Sequence, residues 1–191
     1  ETTIGFSIAP RLNAIGRMGD PRPAVSLLAT FDEEEASVQA KKLNEINEER
    51  KAIVEQITQE ALAMVNEENH IHLLVNRGWH EGVLGIVAGK IMNETGKPTL
   101  VLTLKEDGSA KGSGRSIEAL NLFEMLDQMR DLFTYFGGHH AAVGLTMPSE
   151  NVTILQEKMN QYIVDHQIDL MRGPELRIDE VLLPNEVTVE R

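Results

Sequence analysis

The sequence predicts an α/β fold: a mixed β-sheet flanked by helices, preceded by one long α-helix and followed by the start of a further β unit. Three observations carry this. Residues 32–69 contain no Gly or Pro, and the apolar positions Ala36, Ala40, Leu43, Ile46, Ile53, Ile57, Ala61 and Met64 recur at steps of three, four or their sum. That is the period of an amphipathic helix. From His70 the pattern becomes compact, with IHLLVN (71–76) and KPTLVLTL (97–104) reading as buried strands on either side of a helical run, EGVLGIVAGKIMNETG. Beyond them, AKGSGRS (110–116) and the HAAVGLTM tail of a glycine-rich stretch supply a third and a fourth strand.

Taken in order, residues 1–23 read as irregular, because IAPRLNAIGRMGDPRP holds three prolines, three arginines and glycines at 16 and 19. A short helix is expected over 24–30. Asp32 then caps the long helix, whose first turn carries Glu33, Glu34 and Glu35 where the helix dipole favours acids. Residues 32–68 number 37, which at 1.5 Å per residue is roughly 55 Å. That length predicts a rigid strut joining two lobes, with a coiled-coil arm as the alternative. EDGS forms a hairpin turn, helices occupy about 119–131, and 149–166 is an amphipathic helix. ELRIDEVLLPNEVTVE alternates in character and starts the further β unit. The expected units are therefore 1–31 (an interdomain segment), 32–69 (the helix), 70–167 (the α/β domain) and 168–191 (a linker and the β start).

Net charge is −12, with 41% hydrophobic and 25% charged residues, the composition of a globular chain. The acidity is concentrated: 32–68 carries 11 acids against 4 bases and 149–191 carries 9 against 4, whereas 69–148 is close to neutral with 8 acids and 7 bases. Sequence-indifferent binding of duplex DNA is thereby disfavoured, while a polyanion can still dock on the neutral middle. No cysteine is present, so neither a disulfide scaffold nor a thiolate metal site arises, and a cytoplasmic setting fits. No apolar run approaches the roughly 20 residues of a membrane span. The start ETTIGF lacks an initiator Met and the end LPNEVTVER stops in a strand-like run, so a fragment is expected.

Four segments are candidates for chemistry. In GSGRSI, Gly112 and Gly114 offer bare backbone to an anion, Ser113 and Ser116 offer hydroxyls, and Arg115 offers a planar fork suited to phosphate. A glycine-rich turn at a sheet edge is the bland alternative, and no nucleotide-triphosphate loop motif is present. In FGGHHAAVGLTM, Gly137 and Gly138 permit positive φ and close approach, and His139 and His140 would point to opposite faces of a strand. That geometry serves a phosphate or metal-bound-water contact better than a metal cage, and no metal-ligating set is assigned to the chain. In NRGWHEGVLGIVAGKI, Trp79 and His80 stand just before a helix N-terminus, an aromatic platform or anion site; close helix packing at Gly82, Gly85 and Ala88 is the simpler account. In SIAPRLNAIGRMGD, Arg11, Asn13 and Arg17 are polar residues in an apolar context, suited to interdomain contacts or to phosphate.

APRLNAIGRMGD, WHEGVLGIVAGKI, GSGRSI…NLFEML and FGGHHAAVGLTM stand in the order and spacing of the RecJ family of single-stranded-DNA exonucleases, and the chain resembles that family over residues 4–180. The resemblance implies the second half of a two-lobed core: the end of a DHH lobe at 1–31, the connecting helix, the DHH-associated domain, and the entry to an OB-fold in ELRIDEVL. It implies 5′–3′ degradation of single-stranded DNA in repair and recombination, with Mn²⁺ or Mg²⁺ held by an amino-terminal DHH lobe absent from this chain, which alone is expected to be inactive. Ser113 and Arg115 would hold a substrate phosphate, and Gly137, Gly138, His139 and His140 would face the metals and stabilise the scissile phosphate. Single-stranded DNA is the implied partner, with a single-strand-binding protein or a helicase beside it, no membrane, and a monomeric state. An oligonucleotide or cyclic-dinucleotide phosphodiesterase and a non-catalytic nucleic-acid-binding or replisome-scaffold lobe are the competing readings.

Overall fold

The structure is a computed structural model, and it describes residues 2–170. The amino-terminal segment expected to be irregular is helical. A π-helical turn, Ile4–Ile8, runs into α1 (Ala9–Met18), and α2 (Arg22–Ala29) follows. Pro10 and Pro23 fall in the first turns of α1 and α2, where a missing N–H costs no hydrogen bond and the fixed φ suits the helix. The prolines thus begin helices here, although they read as breakers in the sequence.

Helix α3 (Glu33–Leu62) spans 30 residues, about 45 Å. Asp32 caps it as expected: its carboxylate accepts the N–H groups of Glu34 (2.8 Å) and Glu35 (3.0 Å). The helix stops short of 69 because the chain turns at Ala63–Met64 so that Val65 packs back on the domain, and Asn66 Oδ1 takes the Glu68 N–H at 3.0 Å. Met64, assigned to the apolar stripe, is exposed, and Asn47 takes a buried place on the helix. Nor is α3 a bare strut. Leu43 packs with Ile15 and Ala24 of α1 and α2, and Val54, Ile57 and Ala61 pack with Trp79, Leu84, Val87 and Ile91.

Five strands form one sheet: β1 (His72–Arg77), β2 (Thr99–Leu104), β3 (Ser109–Arg115), β4 (Tyr135–His139) and β5 (Ala142–Pro148), in the order β1-β2-β3-β5-β4. β1 and β2 are parallel, joined through α4 (Leu84–Thr95); every other pairing is antiparallel. The sheet is mixed, as expected, with one strand more than the sequence suggested. FGGHHAAVGLTM is a hairpin of β4 and β5 turning at His140–Ala141. Gly138 makes it possible: its φ is +154°, and a Cβ there would lie 2.2 Å from the Ala142 carbonyl oxygen. Helices α5 (Leu122–Asp127) and α6 (Val152–Asp165) cover one face, burying Leu100, Leu102, Val143, Leu145 and Met147. On the other face α4 and α3 cover Leu74 and Val101 and α4 also packs on β3, while β5 and β4 carry no helix on that face among the described residues. The expected OB-like β start lies outside the described residues.

Candidate nucleic-acid interface

The face that runs from beneath α4 across β3, β5 and β4 is organised by register. Residues paired across a ladder point to the same side of the sheet, so β3, β5 and β4 present three rows. Arg115, Ala142 and His139 form one, Ser113, Gly144 and Gly137 the next, and Lys111, Thr146 and Tyr135 the third. The middle row has almost no side chain. A Cβ at Gly144 would meet nothing within 4 Å, and one at Gly137 would have only the Tyr135 hydroxyl at 3.6 Å. The result is a trough with a bare floor, edged by Lys111, Ser113 and Arg115 along β3 and by the exposed Tyr135 and His139 along β4.

Arg115 lies beneath α4, in a slot that exists because positions 85 and 89 are glycines. A Cβ at Gly85 would stand 3.0 Å from its Nη2 and 3.5 Å from the Ser113 Cβ, and one at Gly89 would stand 3.8 Å from its Cγ. Arg17, at the end of α1, reaches the same neighbourhood and donates to the Gly82 carbonyl at 3.1 Å. Gly82 is required by that crossing, since a Cβ there would fall 2.0 Å from the Arg17 carbonyl oxygen. Arg115 donates only to the Gly114 carbonyl, at 2.8 Å, and among the described residues neither arginine has a carboxylate within salt-bridge distance. Burial first, and then the charge of Arg17, hold the Arg115 guanidinium below its ordinary pKa. A partly desolvated cation, Arg115, with an exposed second one, Arg17, nearby and no counter-ion among the described residues favours an incoming anion. His80 accepts the Gly82 N–H on Nδ1 (3.2 Å), and an open cleft of about 460 Å³ beside it is lined by Arg17, Gly19, His80, Glu81, Gly82 and Lys111.

Several expected contacts are placed elsewhere. Gly112 and Gly114 face the core, not the trough: Cβ atoms there would lie 2.3 Å from the Val101 carbonyl oxygen and 2.8 Å from Val143 Cγ2. β3 is paired on both sides, so bare backbone offered to an anion is replaced by close packing as the reason for these glycines. The Ser116 hydroxyl is buried and donates to the Leu120 carbonyl at 2.8 Å, which fixes the loop before α5. Arg11 donates to Asn44 Oδ1 and to the Ser7 carbonyl, tying α1 to α3, and Asn13 is exposed on α1. Gly138 serves the hairpin, as above. His139 and His140 do not share a strand: His139 ends β4 on the trough side, whereas His140 sits in the turn with Nε2 3.2 Å from the Glu118 carbonyl oxygen. Trp79 is buried and donates to Glu60 at 2.7 Å, so it offers no platform.

Lys111 and Tyr135 are not singled out by the sequence, which marks Gly85 only as a helix-packing position and gives Glu81 no contact role. Stepping by two from Arg115 through Ser113 gives Lys111; Tyr135 emerges only with the β4–β5 register. Among the described residues no group of three or more His, Cys, Asp or Glu can hold a metal ion, so the residues present do not fit a metal centre. No helix among them is long and apolar enough to cross a membrane.

Sheet, slot and trough define an α/β domain with a candidate anion site, and residues 67–165 match the profile of the DHHA1 domain: the chain belongs to the DHHA1 domain family. Its relatives narrow this further. It is 40% identical to the single-stranded-DNA-specific exonuclease RecJ of Bacillus subtilis over 100% of this chain and 25% of that protein, and 31% identical to RecJ of Escherichia coli over 98% and 34%. The chain thus spans a quarter to a third of the length of these relatives. Crystal structures of RecJ from Thermus thermophilus with Mg²⁺ and with Mn²⁺ each superpose with a TM-score of 0.78 at 29% identity, covering 91% of this chain. The chain is a RecJ homologue over that part of the molecule.

Proposed function

We propose that this chain is the substrate-holding part of a metal-dependent 5′–3′ exonuclease acting on single-stranded DNA. The observation that carries the reading is the half-buried Arg115 with the exposed Arg17 nearby, beside a glycine-floored trough and lacking any carboxylate partner among the described residues. The relatives named above are single-stranded-DNA-specific exonucleases, which favours this reading over the cyclic-dinucleotide and scaffold alternatives.

In this mechanism the Arg115 fork and the Ser113 hydroxyl take the terminal phosphate, and Arg17 adds charge from the side. Gly137 and Gly144 let the sugar-phosphate chain lie on the floor. His139, across the row from Arg115, donates to a phosphate oxygen as negative charge develops there. Bound Mn²⁺ or Mg²⁺ would supply the activation of water for hydrolysis, and no set of the described residues of this chain would hold it, which leaves it to a preceding lobe. His80 positions the Gly82 turn, and through it Arg17. The same reading places the protein in cytoplasmic DNA repair and recombination as a monomer, with a single-strand-binding protein or a helicase as partner.

The test compares 5′-phosphorylated and 5′-hydroxyl oligonucleotides on the protein as encoded, by fluorescence anisotropy with metal chelated. Arg115→Ala is expected to abolish the preference for the phosphorylated end. His139→Ala is expected to leave affinity nearly unchanged and to lower turnover by roughly 10²–10³, the loss typical of one transition-state donor. Wild-type affinity and end preference in Arg115→Ala would refute the assignment.

A further inference from the structure

Beyond the Ser113 row, the trough has a second cationic position, and it is already filled from within. Lys111 follows Ser113 on the open face of β3. Lys105, just past the end of β2, stands beside it. Between them lies the Glu81 carboxylate from the turn before α4: one oxygen, Oε2, is 3.0 Å from Lys111 Nζ and 3.1 Å from Lys105 Nζ. The two lysines hold that carboxyl below its ordinary pKa, Lys111 more than Lys105. Thr146, in the same row as Lys111, lines the hollow with these three side chains, and Glu106, Asp107 and Ser109 at the β2–β3 turn complete its edge.

This arrangement differs from the arginine end in one respect. Arg17 and Arg115 have no counter-ion among the described residues, whereas the lysine pair has one supplied in advance. Its three side chains are 40–51% exposed, and ion pairs at such exposure are weak because water and salt screen them. The carboxylate is therefore held loosely enough to be displaced by a better anion. A phosphodiester oxygen is such an anion, and the geometry brings one there. Lys111 is two residues from Ser113 and four from Arg115 along one strand, roughly 7 and 14 Å at 3.4 Å per residue. A single strand anchored by its terminal phosphate at Arg115 and extended over Gly144 must pass Lys111.

We propose that Lys105 and Lys111 form a second backbone-phosphate site for the single strand and that Glu81 competes for it, weakening the enzyme's grip so that the strand can advance between cuts. The inference rests on the nuclease reading above. It makes Glu81 a positioning residue that acts through the two lysines and not on the scissile bond.

The experiment measures binding of a 5′-phosphorylated single-stranded oligonucleotide to the protein as encoded, in chelator, across a salt series. Glu81→Gln is expected to tighten binding about three- to tenfold at low salt and to steepen the plot of log K against log salt by about 0.7, the increment for one more neutralised phosphate of a single strand. Glu94→Gln, the same charge change at the far end of α4, is expected to do neither. Lys111→Gln is expected to cancel the gain in the double variant, which also covers the case of a Glu81 variant that folds poorly alone. Unchanged or weaker binding by Glu81→Gln, with Arg115→Ala still impaired, would overturn the proposal and leave Glu81 a cross-link between the α4 turn and the β2–β3 hairpin. An unimpaired Arg115→Ala would instead remove the strand from the trough, and with it the reading on which the proposal stands.

Discussion

A valine at position 144 separates what the fold needs from what the site needs. Gly144 pairs with Ser113 on one side and Gly137 on the other, in the middle row of the trough. Its φ is not positive, and its Cβ would meet no atom within 4 Å. The fold thus places no steric demand for glycine there, and a glycine in a strand interior is destabilising by about 0.5–1 kcal/mol relative to a residue with a side chain. Gly144→Val is therefore expected to raise the urea unfolding midpoint. In the proposed site, the same added carbons would stand where the sugar-phosphate chain is to lie, between Ser113 and the backbone of Gly137. Losing one charge-assisted contact costs about 1.5–3 kcal/mol, or one to two orders of magnitude in affinity. Unfolding midpoints and anisotropy titrations on the same preparation give both numbers. Earlier unfolding would show that something packs on the trough floor, and wild-type affinity would show that DNA does not cross it; either result refutes the reasoning.

Two further outcomes follow from the same coordinates. Gly112→Ala should destabilise by about 1–3 kcal/mol or more, because its Cβ would fall 2.3 Å from the Val101 carbonyl oxygen and 2.7 Å from Leu102 Cγ; an unchanged denaturant midpoint would show that the β2–β3 ladder yields. His72 is buried, and neither ring nitrogen has a hydrogen-bond partner among the described residues. Burial first, and then Lys97, push its pKa below the model-peptide value of 6.5, with Glu67 opposing. The unfolded chain therefore takes up the proton first as pH falls, so stability is retained above that value and declines as pH drops through it. Unfolding free energies measured from about pH 8 down to about pH 5.5 should show this decline, and His72→Leu should flatten it; an equal slope in the variant would assign the effect to other groups.

What could be read from the sequence was the part encoded locally. Asp32 with three following glutamates marks a helix start by capping chemistry alone, and that start is where it was expected. The end of α3 was not legible, because it is set by Val65 turning back onto residues of α4 and β1, a contact between distant parts of the chain. Pro10 and Pro23 misled for a related reason. A proline interrupts a helix interior but fits its first turn, and only the flanking structure says which applies. At the site, Ser113, Arg115 and Arg17 were chosen because of what their side chains can do. Lys111 and Tyr135 depended on knowing which way each strand faces.

The glycines carry that last difficulty to its limit, because a residue without a side chain gives no sign of its own orientation. The sign comes from neighbours. In AVGLTMP of β5, Val143, Leu145 and Met147 are buried, so Gly144 must face outward, and the register then carries Ser113 and Gly137 out with it. By the same parity Gly112 and Gly114 turn inward, where Val101, Leu102, Val143 and Leu122 leave no room for a methyl group. GSG in β3 thus combines two unrelated requirements: thinness toward the core at 112 and 114, and a polar contact toward the trough at 113. The sheet is bare on the trough side at 137 and 144 as well, so its centre can be approached closely by another backbone. No helix covers it there among the described residues, and its rim carries Arg115, Ser113, Lys111 and His139. An apolar helix would bury those charges without partners, whereas a phosphate backbone supplies partners along the whole rim. On the reading proposed above, the surface therefore suits an extended anion better than a protein cover, and Ser113, Arg115, Gly137 and Gly144 are the parts of the two glycine motifs that belong to one site.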